Sequence, residues 1–419
     1  MGFGKELGDA SRCSGQKLTA NSQSEMRIVY HHRTTSRDAQ GIHIVSMLAA
    51  FRELGHKVEL VSLVSIARRL TDASPRRDAE DGFVRGILRR IPFAYDAIQL
   101  AYNLVGLPLL SWKLLKWPAD FIYERYSLLN FTGRVVAHVF GIPLVLEVNS
   151  PFALEQQRNR DIRAFRFAAW MERVILNGAA AVIVVSTPLR RMMISAGVEE
   201  KKLVVMHNGV EAWAFGSDTK QGALRCSLGL ENKTVIGFVG WFQKWHGVEL
   251  LLQTFHRGNL AQRGGVVLLV GDGPAMADLR TYARANGLLG DVIFTGPVPH
   301  SDIPFYLGII DIAVQPAANE YCCPMKILEY MAAGKPIVAP RQENIEEILK
   351  DGQNARLFTP GDEASLSAAL TAMIDDPASA LAMAARARNM IVECGYQWVN
   401  NAIRVIKLVE SSSSERQLK

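Results

Sequence analysis

The stretch best equipped for chemistry follows an apolar run at 312–315 and reads Pro324-Met325-Lys326-Ile327-Leu328-Glu329-Tyr330-Met331-Ala332-Ala333-Gly334-Lys335-Pro336. A proline start, a short helical pattern and a glycine stop would place helix N-terminal amides at the mouth of a sheet. Unsatisfied N–H groups and the helix dipole both favour an anion there, so a phosphate would sit at this point. Glu329, about one turn in, is placed to accept hydrogen bonds from a ribose diol. Spacing alone leaves open the plainer alternative of a solvated helix carboxylate.

Two groups in the first half also invite a chemical reading. Asp38-Ala39-Gln40-Gly41-Ile42-His43 falls between a strand-like and a helical run, where a flexible loop belongs. Gly41 permits close backbone approach to a sugar or phosphate, while His43 reads equally well as a satisfied helix-start residue. Glu147-Val148-Asn149-Ser150-Pro151 ends a later strand-like run. Glu147 is the nearest carboxylate, as reagent or as structural partner. Asn149 cannot act as a general base and can contribute only hydrogen bonds.

Other chemistries lack their residues. The chain contains no G-x-S-x-G, no G-x-x-x-x-G-K-[ST], no H-E-x-x-H and no calcium loop. Gly271-Asp272-Gly273 lacks the third glycine of a dinucleotide fingerprint, so an oxidoreductase is not indicated. The five cysteines, Cys13, Cys226, Cys322, Cys323 and Cys394, include no C-x-x-C, so reduced thiols and no metal site are expected.

Groups of this kind need sheets that carry their loops at one edge, and the chain supplies two series of strands. The first falls at 27–30, 58–63, 121–124, 143–148, 181–185 and 202–206, with a helix at 44–54 stopped by Gly55. The second falls at 235–239, 266–270, 292–295, 312–315 and 336–339. Alternation with helical patterns predicts an α/β chain of two doubly wound Rossmann-like parallel-sheet domains. A length of 419 residues with 49% hydrophobic content suits two domains with full cores.

The expected boundaries are a disordered N-terminal extension over 1–25, with Met26 a candidate start, a first domain over 26–210 and a second over 211–395. A helix at about 396–410 and a disordered tail at 411–419 complete the chain. The net charge of +6, from 47 Lys+Arg against 41 Asp+Glu, suits an anionic small substrate or a membrane surface. Nucleic acid is not expected, because no recognisable binding module accompanies the charge. The longest charge-free apolar stretch, 97–112, is shorter than the roughly 20 residues needed to span a bilayer. An excursion over 67–117 begins arginine-rich (Arg68, Arg69, Arg76, Arg77, Arg85, Arg89, Arg90) and ends apolar with Trp112, Lys113, Lys116 and Trp117. It reads either as a solvated loop before a buried helix or as a patch for an anionic membrane surface.

The run 324–336 resembles the nucleotide-sugar signature of glycosyltransferase family four, retaining enzymes of group 1 type with GT-B architecture. Gly237-Phe238-Val239-Gly240-Trp241-Phe242-Gln243-Lys244-Trp245-His246-Gly247 is similar to its donor phosphate loop, and Val270-Gly271-Asp272-Gly273-Pro274 to its next strand-turn. Phe294-Thr295-Gly296-Pro297-Val298-Pro299 resembles the edge where the base is read. His207-Asn208-Gly209-Val210-Glu211 resembles the interdomain segment, and Trp398 with Asn401 the helix that returns to the first domain. The resemblance implies two domains facing a central cleft, retention of configuration and no metal or other cofactor. It implies a donor site from Gly240, Trp241, Lys244, Gly271, Gly273, Pro297, Val298, Met325, Lys326, Ile327 and Glu329. Gly41 and His43 then fall in an acceptor-side loop, and Asn149 where many members have a cleft histidine.

Three positions depart from the family pattern. Trp241 and His246 stand where many members have Arg and Lys, and Tyr321 stands where a first glutamate is usual, one residue after Glu320. A departing nucleoside diphosphate develops negative charge that fixed cations stabilise, so Lys244 and Lys326 are expected to supply it, with His246 helping when protonated. The expected catalytic set is Glu147, Asn149, Lys244, His246 and Glu320. The implied protein is a cytoplasmic glycosyltransferase, peripheral at the inner face of the membrane, that moves sugar from a nucleotide sugar to a glycan or lipid-linked acceptor. A nucleotide-sugar epimerase and a non-catalytic nucleotide-sugar-binding protein are the rival readings.

Overall fold

A computed structural model describes residues 24–33, 39–62, 93–158, 164–211 and 218–417. They form two compact units, one extending to His207 and including the chain from Trp398 onward, the other spanning Asn208–Gln397.

The first unit is a parallel sheet of β1 (Arg27–His31), β2 (Lys57–Val61), β3 (Phe121–Arg125), β4 (Leu144–Val148), β5 (Ala181–Val184) and β6 (Leu203–Val205), in the order β2-β1-β3-β4-β5-β6. Ile28 pairs with Phe121 and Tyr30 with Tyr123. The inner strands β3, β4 and β5 are buried along their whole length because both faces of the sheet are covered there, whereas the edge strand β2 is partly exposed. Tyr30, Phe51, Phe121 and Tyr123 meet edge to face within its core.

The helix Ala39–Glu53 buries Ile44, Met47, Leu48 and Phe51 at helical spacing and packs on the helix Trp398–Gln417. It starts a turn earlier than expected: Gly41 and His43 lie inside it and are buried, not in a flexible loop. The expected tail at 411–419 is also corrected, since helix continues to Gln417. Buried Val405, Ile406 and Val409 anchor it, and the Ser411 and Ser412 hydroxyls donate back to the Leu408 carbonyl.

The second unit is a parallel sheet of β7 (Thr234–Val239), β8 (Gly265–Val270), β9 (Val292–Gly296), β10 (Ile312–Val314), β11 (Ile337–Pro340) and β12 (Arg356–Phe358), in the order β12-β11-β10-β7-β8-β9. β12 went unread in the sequence because three residues show no pattern. Its core gathers Phe238, Phe242, Leu251, Phe255 and Leu269. The arginines of the 67–117 excursion and residues 1–23 lie outside the described residues, whereas 94–116 is helix (Ala94–Lys116). No described helix is long and apolar enough to cross a membrane. Cys226, Cys322 and Cys323 are free thiols.

Candidate functional site

In the second unit the strand order reverses between β7 and β10, and a crevice opens outside the carboxyl ends of parallel strands at such a point. β7 runs into Gly240, with φ 137°, where a Cβ would lie 2.4 Å from Lys326 Cε. β8 runs into Gly271, with φ 126°, where a Cβ would lie 2.1 Å from the Gly240 carbonyl oxygen. The two turns touch backbone to backbone: the Gly240 N–H donates to Val270 at 2.9 Å and the Phe242 N–H to Asp272 at 2.7 Å. Gly273 backs onto Phe242 in the same way. Side chains at these positions would force the turns apart. The Gly271 N–H reaches the Gly296 carbonyl at 3.1 Å, which sets half-buried Val298 and exposed Pro297 just beyond.

The helix Met325–Ala332 is pinned to the end of β7 by buried Tyr330, whose hydroxyl accepts the Val239 N–H at 3.1 Å. It starts after Pro324 without a side-chain cap and ends where the Gly334 N–H, at φ 63°, donates to Met331. Of the amides expected to meet an anion, that of Ile327 already donates to the Pro324 carbonyl at 3.1 Å.

His246 fixes the lysine of this helix. Its Nδ1 lies 2.5 Å from the Trp241 carbonyl and its Nε2 3.0 Å from Lys326 Nζ. A carbonyl only accepts, so Nδ1 carries the hydrogen and the Nε2 lone pair accepts from the ammonium. Burial, reinforced by the Lys326 charge and opposed by the Trp241 carbonyl, lowers the His246 pKa to about 3. His246 is therefore a neutral orienting group, not the supplementary cation expected. Lys326 also lies over the Phe238 ring at 5.4 Å.

Glu329, one turn further on, is half-buried, and no side chain among the described residues bonds its carboxylate. Burial raises its pKa to about 7 against the opposing Lys326 charge. A donor diol would supply the hydrogen bonds that this carboxylate lacks.

Two expected residues stand elsewhere. The Lys244 ammonium is 83% exposed and pairs loosely with Asp278 at 3.6 Å, so it belongs to solvent. Glu320 is exposed in a turn, while Tyr321 is buried with its hydroxyl accepting from Asn319 Nδ2 at 3.2 Å. The bulky ring takes the inward place and Glu320 faces solvent. Asn344 holds this loop by donating to the carbonyls of Asn319 and Cys322 at 3.0 and 2.7 Å, and Asn208 by donating to Cys323 at 2.7 Å. Trp241 and Trp245 are both partly exposed on the turn that carries His246.

In the first unit the order reverses between β1 and β3, whose carboxyl ends hold a buried polar network. His31 Nδ1 meets Glu124 Oε2 at 2.5 Å, His31 Nε2 lies 3.2 Å from the Tyr102 hydroxyl, and Asn130 Nδ2 donates to Glu124 at 3.3 Å. Glu147 accepts from the Tyr123 hydroxyl at 2.6 Å, from Arg125 at 2.9 Å and from the Asn149 amide, with His43 Nε2 at 3.2 Å. Burial alone would raise the Glu147 pKa, but these partners leave it below the usual range. Burial lowers His43 to about 4 against the opposing Glu147 charge, and the charges of His43 and Arg125, the latter ion-paired at 2.9 Å, favour the ionised form of Glu147. The His43 ring also packs edge to face on Trp398 at 4.6 Å. Glu147 is thus a saturated structural hub rather than an exposed reagent, and it holds Asn149 in place.

Sequence reading missed His31, Tyr102, Tyr123, Glu124, Arg125 and Asn130. Glu124-Arg125 carried a usable signal: charge ending an apolar strand, the same pattern that drew attention to Glu147.

Two family models match the chain. The glycosyl transferase 4-like domain covers residues 39–209, and glycosyl transferases group 1 covers 233–376. The 2-deoxystreptamine glucosyltransferase of Streptomyces kanamyceticus is 28% identical over 81% of this chain and 91% of its own length. An Escherichia coli UDP-Gal:alpha-D-GlcNAc-diphosphoundecaprenol alpha-1,3-galactosyltransferase is 26% identical over 81% of this chain and 85% of its own. Among solved structures, Anabaena HepE in complex with UDP superposes with TM-score 0.69 at 18% identity, covering 92% of this chain and 100% of its own. WaaG, a glycosyltransferase of lipopolysaccharide biosynthesis, gives TM-score 0.60 at 14% identity over 87% and 95%. These likenesses carry the fold, two Rossmann-like domains of the GT-B class.

Proposed function

The chain belongs to the group 1 glycosyltransferases, transferases that use nucleotide sugars, and from that membership we propose that it moves a sugar with retention of configuration to a hydroxyl acceptor. The observation that carries this reading is the Gly240 turn, with Lys326 locked beside it by neutral His246 and Glu329 one helical turn away. In the transfer, the bond from the anomeric carbon to the diphosphate breaks and the diphosphate leaves with the electron pair. The acceptor oxygen bonds the same carbon, and its proton passes to the departing diphosphate oxygen. Lys326 stabilises the charge that develops on the leaving oxygens, and Glu329 anchors the ribose. With a lysine meeting the diphosphate, no metal or other cofactor is needed in this reading.

UDP in the HepE complex and UDP-Gal in the name of the Escherichia coli relative support a nucleoside diphosphate sugar as donor. The diphosphoundecaprenol-linked acceptor of that relative supports a lipid-linked glycan acceptor here, in cell-surface polysaccharide or glycolipid synthesis. The same reading sets the protein at the cytoplasmic face of the membrane, held peripherally at an anionic surface. Asn149, at the end of β4, faces the acceptor side in this reading, with Glu147, His43 and Gly41 behind it.

Donor-panel thermal shift followed by product analysis tests the proposal. Stabilisation by one nucleotide sugar and sugar transfer to a lipid extract are expected. An altered sugar formed from donor alone would indicate an epimerase instead. Donor binding without turnover in any extract would indicate a binding protein.

A further inference from the structure

The first unit carries apolar surface that sugar transfer does not use. On the helix Ala94–Lys116, every exposed position whose side chain is described, except Lys116, is apolar. Leu104 is 77% and Leu115 72% exposed, and Ile98, Val105 and Trp112 join them at helical spacing. The helix Phe165–Asn177 repeats the pattern. Phe167, Trp170 and Val174 are exposed and flanked by exposed Arg166 and Arg173, while Glu172, its only acid, is buried.

The two helices adjoin. The Asp96 carboxylate accepts the Ala164 N–H at 3.2 Å, and Leu100 joins Phe165, Ala169 and Met171 around a shared apolar cluster. Scattered exposed apolar residues need no explanation, but stripes running along two neighbouring helices do.

We propose that these two helix faces dock the protein on an anionic lipid bilayer. The inference deepens the proposed lipid-linked acceptor and rests on that reading. Charge selects the occupant. The charged residues beside the stripes are Lys113, Lys116, Arg166 and Arg173, of which Lys113 is paired with Glu59 at 2.9 Å. A second copy in a two-fold contact would bring this basic rim against itself, whereas anionic headgroups complement it. Trp112, Trp117 and Trp170 suit the boundary between headgroups and acyl chains, and neither helix can cross the bilayer. The helices therefore lie in the interface plane.

Vesicle flotation of the full chain tests this. The protein should float with phosphatidylcholine vesicles that contain phosphatidylglycerol and come off as salt rises. Neutralising Arg166 or Arg173 should lower partitioning about fivefold each. Combining Leu104→Asp with Trp170→Asp should lower it about tenfold or more, while Leu381→Asp, at an exposed position of the second unit, should not change it. UDP binding on the same samples separates the two readings: vesicle binding without UDP binding counts against the function alone. No flotation of the wild type, or equal flotation of the Leu104/Trp170 double variant, overturns the docking surface. So does a self-association in sedimentation that this double variant abolishes while vesicle binding is absent.

Discussion

His246 Nε2 lies 3.0 Å from the Lys326 ammonium, and because its Nδ1–H is bonded to the Trp241 carbonyl, this imidazole can only accept from the lysine. Where the family resemblance leads one to expect a second cation in the donor loop, this chain has a neutral group that orients the first. The substitution trades charge for position, and it makes the two lysines of the expected site unequal.

Kinetics should show that inequality. Lys326→Ala is expected to lower kcat/KM about 10²- to 10³-fold, the usual cost of losing one preorganised charge on a developing anion. Lys244→Ala should stay within about twofold, since its pair with Asp278 is solvent-screened. His246→Ala should fall between them, and His246→Gln, whose carbonyl can still accept from Lys326, should recover part of the loss. Steady-state rates of donor consumption decide it. Equal effects of Lys244→Ala and Lys326→Ala would contradict the assignment.

Donor affinity should depend on pH through Glu329. Its carboxyl has a pKa of about 7 without ligand, and a ribose diol binds best to the ionised form. Binding must then release a proton below pH 7, so affinity for the nucleoside diphosphate should rise up to about tenfold from pH 6 to pH 8 and then level. Glu329→Gln should bind about 10- to 100-fold more weakly, from the loss of charge-assisted hydrogen bonds, with a flatter profile. Calorimetry at three pH values tests both. A wild-type profile as flat as that of the variant would remove Glu329 from the ribose site.

The turns and the helix at the β7–β10 switch point were legible because their features are local. Gly240, Gly271 and the 324–336 run each advertise a turn or helix end within a few residues, and buried parallel strands stand out as unbroken apolar runs. The polar network of the first unit was not legible, because His31 and Glu124 are 93 residues apart and only the pairing of β1 with β3 joins them. Gly41 misled for a related reason. Glycine suggests a loop when read alone, but here the helix spacing of Ile44, Met47, Leu48 and Phe51 extends back through it. Tyr321 and Glu320 show a third limit: which of two neighbours points inward was settled by the packing of a ring.

The hub role of Glu147 predicts a stability effect. Glu147→Ala would leave Arg125 buried without its carboxylate, which typically costs about 3–5 kcal/mol. In a unit of this size the melting temperature should fall by roughly 10 °C. Were Glu147 a reagent instead, Glu147→Gln would abolish turnover with melting unchanged. Thermal denaturation and transfer rates on the same two variants distinguish the roles.

Glu172 offers a test with the opposite sign. It is buried on the helix Phe165–Asn177, its Oε1 has no partner, and burial raises its pKa from 4.5 to about 7 despite the Ala153 amide. The folded chain therefore holds a proton here that the unfolded chain releases near pH 4.5. The stability this gives is full below pH 4.5 and lost as pH rises through 7, a change of roughly 3 kcal/mol. Glu172→Gln removes the titration and keeps an acceptor for the Ala153 N–H, so it should melt several degrees higher than the wild type at pH 8 and close to it at pH 5. His43 and His246, lowered to about 4 and about 3, lose stability as pH falls below 6.5, so the difference between variant and wild type at each pH is the quantity to measure. A difference constant from pH 5 to pH 8 would mean that Glu172 stays ionised in the fold and that water or another group reaches its carboxylate.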